Sequence, residues 1–252
     1  MKNRRLYYFF ICFFIFFIYF IIIDKRSKSI SVFQWYWANQ EASIKRKICE
    51  NIPFKCNPTN PHIHSSTLEK QGGIISHRIR EKIVSLTSNN KKVVLTYRLE
   101  RLSHKYYLAD RILKDKQDLY KLGVELISVE IDFDSPTSKL SNYIEWLKDL
   151  KNLIPKIPLR TTGLTTWIED DPRKSEELLR SVEEVTFQMY QGTKPIALSK
   201  KIIDFINSNK NAQMALYCLD KSLLSLIHKN MEERDAITIG FFTDKYCHNS
   251  PD

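Results

Sequence analysis

Apolar residues along this chain follow two alternating periods, about 3.6 residues and 2 residues, and the alternation repeats down most of its length. The stripe Ile75, Ile79, Ile83 and Val84 predicts a helix over 75–88, and Val-Val-Leu-Thr-Tyr-Arg-Leu predicts a strand over 92–99. A helix over 108–121 then breaks at Gly123 before a strand over 125–133, and a helix over 139–153 precedes a strand over 159–167. The same pairing predicts helix 173–181 with strand 184–190, helix 199–208 with strand 213–218, and helix 221–231 with strand 236–242. Upstream, 31–38 reads as a first strand and 41–49 as a short helix. Residues 51–73, rich in Pro, Asn and Ser, read as a long loop that can hold a degenerate strand around Ile63.

Strands that alternate with helices of this length imply right-handed βαβ units and a parallel sheet. Seven strands plus the degenerate one predict a (β/α)8 TIM-like barrel, and the 226 residues from Ser27 onward suit one such domain, 27–252. The rival is a doubly wound open sheet. It calls for a glycine-rich phosphate turn after a strand, and the six glycines of this chain form none.

The N-terminus changes the picture. Leu6 to Ile23 is an unbroken run of 18 apolar or aromatic residues behind Lys2, Arg4 and Arg5, long enough to cross a hydrocarbon layer of ~30 Å. It exceeds a usual signal-peptide core and is followed by Asp24-Lys25-Arg26-Ser27-Lys28 without a small-residue cleavage site. Residues 1–26 therefore read as a transmembrane signal anchor, with secretion after cleavage as the alternative. The flanking Lys and Arg are equal in number on the two sides, and the five-residue tail before the run favours a cytoplasmic N-terminus with the domain exported. For a bacterium that places a single-pass protein in the inner membrane, its domain in the periplasm or outside. Four cysteines lie beyond the anchor, and their spacing pairs Cys49 with Cys56 and Cys218 with Cys247 if they are oxidised; four buried thiols fit the same count.

The net charge of +10 falls to +6 once Lys2, Arg4, Arg5, Lys25 and Arg26 are taken from the 39 basic residues and Asp24 from the 29 acidic ones. The remaining lysines are scattered over helical faces, and no arginine cluster is interleaved with aromatics, so nucleic acid is not an expected partner. No Cys/His pattern has zinc spacing, His62 and His64 read as loop residues, and neither a metal nor another cofactor is expected.

Chemistry concentrates on the strand over 125–133. Side chains on a strand alternate between faces, so Glu130, Asp132 and Asp134 share one face while Val129, Ile131 and Phe133 share the other. Bare burial of three carboxylates is very costly, so they must be solvated, paired or used. In one reading they are catalytic: crowded carboxylates raise one another's pKa and keep one acid protonated, and Asp134, nearest the C-terminal strand end, is the proton donor. In the other, Glu130 and Asp132 pair with Arg98 or Arg160 and Asp134 caps a turn with Ser135 and Thr137. Trp35 and Trp37, two apart, point the same way and suit either sugar rings or packing. Arg98, Gln188 and Tyr190 are further candidates for substrate contact.

Val-Glu-Ile-Asp-Phe-Asp-Ser-Pro-Thr-Ser-Lys-Leu (129–140), Tyr143, Leu147 to Leu150, Thr-Gly-Leu-Thr-Thr-Trp (162–167) and Glu-Val-Thr-Phe-Gln-Met-Tyr-Gln (184–191) resemble an uncharacterised bacterial family of expected TIM barrels related to glycoside hydrolases. A more distant likeness is to chitinase-type hydrolases, whose fourth strand carries alternating acids ending in the proton donor. That resemblance implies Asp134 as donor, with Asp132 and Glu130 tuning it, and puts Trp167, Gln188, Tyr190 and Gln191 among the substrate-binding residues. The chain departs from the pattern twice, with Asp134 where the donor is Glu and Gln191 where an Asp stands. The function implied is glycosidase-like action on an extracytoplasmic glycan; the alternative is a non-catalytic barrel that binds a polysaccharide or an envelope protein.

Overall fold

The computed structural model describes residues 29–36, 55–58, 60–68, 74–76, 92–191, 194–217, 227 and 236–242. Its strands are β1 (Ser29–Tyr36), β2 (Lys55–Pro58), β3 (His62–Leu68), β4 (Ile74–Ser76), β5 (Lys92–Leu99), β6 (Glu125–Asp132), β7 (Leu159–Leu164), β8 (Glu184–Gln188), β9 (Tyr190–Gln191), β10 (Lys194–Pro195), β11 (Ala212–Tyr217) and β12 (Ala236–Phe242). Five α-helices are described: α1 (Lys105–Lys121), α2 (Leu140–Leu153), α3 (Thr165–Asp170), α4 (Pro172–Ser181) and α5 (Lys200–Ser208).

β3, β5, β6, β7, β8, β11 and β12 pair in that order, each parallel to the next, and β1 pairs in parallel with β12. At its C-terminal end β1 also meets β3, Trp35 opposite His62 and Tyr36 opposite Ile63, while β2 lies along β1 from Ser29 to Val32. The architecture is a curled parallel sheet with helices outside it, TIM-like and α/β. The segment read as a loop over 51–73 thus contributes β2 and β3, and His62 and His64 lie on a strand. Ile74–Ser76 pairs antiparallel with β3 instead of opening a helix, and Thr165 to Trp167 belong to α3 instead of ending β7.

Burial explains the packing. Val129 and Ile131 of β6 face outward into a core with Leu140, Ile144, Leu147 and Leu150 of α2, residues spaced to form one helical stripe. Gly163 on β7 lies against Phe187 of β8 so closely that a Cβ there would stand 2.9 Å from the ring. α4 starts cleanly because the Asp171 carboxylate accepts from the Lys174 N–H at 3.0 Å and Pro172 needs no donor. Asp115 of α1 is buried yet satisfied, since it accepts from Ser65 and Tyr97, each at 2.8 Å, and from Arg111. The expected helix over 41–49, residues 77–88 of the one expected over 75–88, all but the helical Ile227 of the one expected over 221–231, the apolar run 6–23, and Cys49, Cys218 and Cys247 lie outside the described residues; among the described ones no helix is long and apolar enough to cross a membrane.

Candidate functional site

The acidic face of β6 points into the ring of strands, and each of its carboxyls has a different environment. Glu130 is wholly buried; Thr96 of β5 donates to its Oε1 at 2.9 Å, and His62 Nδ1 of β3 stands 3.2 Å from Oε2. The Phe33 ring of β1 stacks on the His62 imidazole at 3.8 Å and fixes its plane. One step further along β6, buried Asp132 accepts from Thr162 of β7 at 2.8 Å and from Arg98 Nη1 at 2.5 Å. Beyond the strand end Asp134 is 41% exposed, accepts from Arg98 Nη2 at 2.8 Å, and lies 3.4 Å from the Gln188 amide nitrogen.

Arg98 is therefore the hub. Its guanidinium forks between Asp132 and Asp134, and although burial alone would make it less basic, the two carboxylates outweigh that and hold it more basic than usual. Asp132 moves the other way from an ordinary ion-paired acid: burial pushes its carboxyl up, the Arg98 charge opposes this, and Asp134 adds to it. Tyr190, just past β8, is pushed well up by burial and then by the fields of Asp132, Asp134 and Glu130, so its phenol stays neutral and able to donate. Arg98, Asp132, Asp134 and Tyr190 lie at the C-terminal ends of parallel strands or just past them, the end where TIM-like barrels assemble their chemistry, whereas His62 opens β3.

The strand pattern over β6 placed the acids correctly, and Arg98, Gln188 and Tyr190 join them. Arg160 does not; it pairs with Glu184 at 2.6 Å near the opposite ends of the strands. Asp134 caps no turn with its neighbours, since Ser135 donates to the Pro136 carbonyl and Thr137 to Asp170. Trp167 has no exposed surface: its Nε1 donates to the Ser135 carbonyl at 2.7 Å and its ring packs edge-on to Tyr143, so it supports the loop after β6 rather than presenting a face to ligand. Gln191 is exposed on the β9–β10 hairpin. Trp35 lies near the end of β1, while its side chain and Trp37 fall outside the described residues. His62 and Thr162 were not candidates from sequence; His62 and His64 two apart carry a strand period that the surrounding Pro and Asn obscured.

The fold and the acidic cluster define a TIM-like α/β protein with its carboxyls gathered at one end of a parallel sheet. Residues 91–200 match the family described as a domain of unknown function, DUF3142, which spans β5 to the start of α5 and so the whole acidic cluster. No curated protein matches the sequence. The spore cortex-lytic enzyme SleL of Bacillus megaterium superposes with a TM-score of 0.52 at 11% identity, over 81% of this chain and 57% of that one. A family 18 chitinase from Crocus vernus gives 0.48 at 11% identity, over 84% of this chain and 92% of that one, and the YdjI aldolase of Escherichia coli K12 gives 0.46 at 12%, over 88% and 77%. This chain spans little more than half of SleL, and the likeness is one of fold.

Proposed function

We propose that this protein is a glycosidase-like (β/α)8 barrel that cleaves an extracytoplasmic glycan by carboxylate acid catalysis. The observation that carries the reading is the Asp132–Arg98–Asp134 cluster at the C-terminal strand ends, one carboxyl buried and pushed up by that burial, the other open to solvent. Glycosidic cleavage needs an acid at the leaving oxygen and negative charge near the anomeric carbon. In the proposed reaction the proton held by buried Asp132 passes to Asp134, which gives it to the glycosidic oxygen as the bond from that oxygen to the anomeric carbon breaks, and Asp132 is left as a carboxylate. The oxocarbenium-like charge left behind faces Asp132, with Glu130 behind it; water adds to the carbon and returns a proton to the cluster. Tyr190 and Gln188 hold sugar hydroxyls. The cortex-lytic activity in SleL's name supports an envelope glycan as the substrate class.

Residues 1–26 tether the domain to the bacterial inner membrane in this reading, with the barrel in the periplasm or outside and the cysteine pairs Cys49–Cys56 and Cys218–Cys247 formed there. The full-length protein is then expected to remain with membranes after a carbonate wash, and a soluble mature form beginning near Ser29 overturns the tether.

A second reading is a barrel that binds glycan without cutting it. Arg98 favours it, because a guanidinium shared by Asp132 and Asp134 suits recognition as well as catalysis, and so do the departures at Asp134 and Gln191. Cleavage and retention of envelope glycans, measured side by side, separate the two. Asp134→Asn keeps shape but removes the transferable proton, and is expected to cost on the order of 10² to 10⁴ in rate while binding survives. Equal cleavage by a folded Asp134→Asn refutes the donor assignment; wild-type binding with no cleavage across the panel selects the second reading.

A further inference from the structure

The end of the sheet opposite the acids holds a cavity of about 190 Å³. Its walls come from eight strands, in all but Phe33 from their first three positions, and from Asn60 before β3, so it is a feature of the N-terminal end of the ring as a whole. Arg160 of β7 and Glu184 of β8 border it and pair with each other at 2.6 Å, which cancels their charge. Gln213 of β11 also lines it; this side chain is only 6% exposed, and its Oε1 has no hydrogen-bond partner among the described residues. The Arg160 Nε–H is buried there and likewise has none. Phe33, Val94 and Ile127 add apolar surface, and Ser31, Asn60, Thr238 and the His62 imidazole that faces Glu130 add further polar groups.

Two orphaned groups of opposite kind, a donor and an acceptor, each cost about 1–3 kcal/mol when buried unmet. A ligand that accepts from Arg160 and donates to Gln213 removes both costs at once. It must be uncharged: Arg160 already pairs with Glu184 and His62 already faces Glu130, so neither an anion nor a cation here finds a spare counter-charge. Apolar lining between the polar groups suits C–H faces that alternate with hydroxyls. At roughly 30 Å³ for each water-sized group, the space holds about six such groups, too few for a disaccharide and enough for a three-carbon triol.

We propose that the N-terminal end of this barrel is a binding site for a small neutral polyol, built on Gln213 and Arg160 and separate from the acidic mouth. Glycerol is the probe. Saturation-transfer NMR of the full-length protein in detergent is expected to show saturable glycerol binding in the millimolar range, as suits so few atoms. Gln213→Leu removes the acceptor, and Arg160→Lys removes the Nε–H while keeping a cation for Glu184; each is expected to weaken binding about tenfold. Acetate, of similar size but charged, is expected not to bind. Melting temperatures establish that both variants fold, and either variant alone suffices if the other does not. A glycerol signal that does not saturate, that is unchanged in a folded variant, or a glycerol-soaked crystal with only water in the cavity overturns the proposal.

Discussion

The two ends of the sheet carry similar residues to different purposes. At the C-terminal end Asp132 and Asp134 share one guanidinium, with Glu130 held by His62 and Thr96 behind them, and one of the three carboxyls is open to solvent. At the N-terminal end one carboxylate meets one guanidinium, Glu184 with Arg160, on the wall of a cavity that mixes polar and apolar side chains. Charge in balance and half-buried is the ordinary way to close the floor of a parallel ring. A surplus of acid at the mouth costs stability, and such surpluses are kept where they act on something.

Removing the cation from each end gives the sharpest test. Arg98→Leu leaves the buried Asp132 carboxylate without its charge partner and is expected to cost on the order of 3–5 kcal/mol at neutral pH. Arg160→Leu strands Glu184, whose side chain is 28% exposed and reaches water, and is expected to cost about 1 kcal/mol. Urea unfolding of the two variants measures both, and equal losses abolish the contrast. Next in size is Trp167→Phe, which keeps most of the ring's packing but leaves the Ser135 carbonyl without its buried donor, a loss of about 1–3 kcal/mol in unfolding free energy. Because that carbonyl adjoins Asp134, glycan binding at the mouth is expected to weaken along with stability, while glycerol binding at the floor holds.

The smallest effect is one of slope. Burial raises the Asp132 carboxyl in the folded state, so between its unfolded value of about 3.9 and its folded value the native chain holds a proton that the unfolded chain lacks. Its contribution to stability therefore falls as pH rises through that window. Asp132→Asn removes this term, and its stability relative to wild type is expected to rise with pH there. A difference between the two that is flat in pH, followed by thermal unfolding, contradicts the burial of an ionisable Asp132.

The middle of the molecule was legible because its strands and helices have clean periods. β5 and β12 match the residues their patterns indicate, and α1 and α2 begin within three residues of expectation. β6 was legible down to the facing of its acids, since alternation on a strand is fixed by backbone geometry. β3 was legible only as a degenerate strand around Ile63, because its two faces are both buried and both polar: His62 points to Glu130 inside the ring, and Ser65 to Asp115 of α1 outside it. With no apolar alternation, its extent and the place of His62 and His64 on it were hidden. The Thr-Thr-Trp run at 165–167 has the β-branched and aromatic character of a strand, yet tertiary contacts turn it into α3 and seat Trp167 beneath the loop after β6. Arg98 could be read as a candidate, but its fork between two acids could not, since Thr162, Asp132 and Asp134 meet it only through pairing across β5, β6 and β7.

The place of β1 bears on how the chain is made. Its register with β12 sets Ser29 against Ala236, so the first strand synthesised waits for the last before its edge is covered. Until then the β5-to-β8 layers, rich in near-neighbour contacts, can settle early, whereas the nascent β1 offers unpaired amides and carbonyls to any passing strand. Shortened chains that lack β12 are accordingly expected to aggregate rather than to yield a smaller stable domain, with the β1 edge as the point of association.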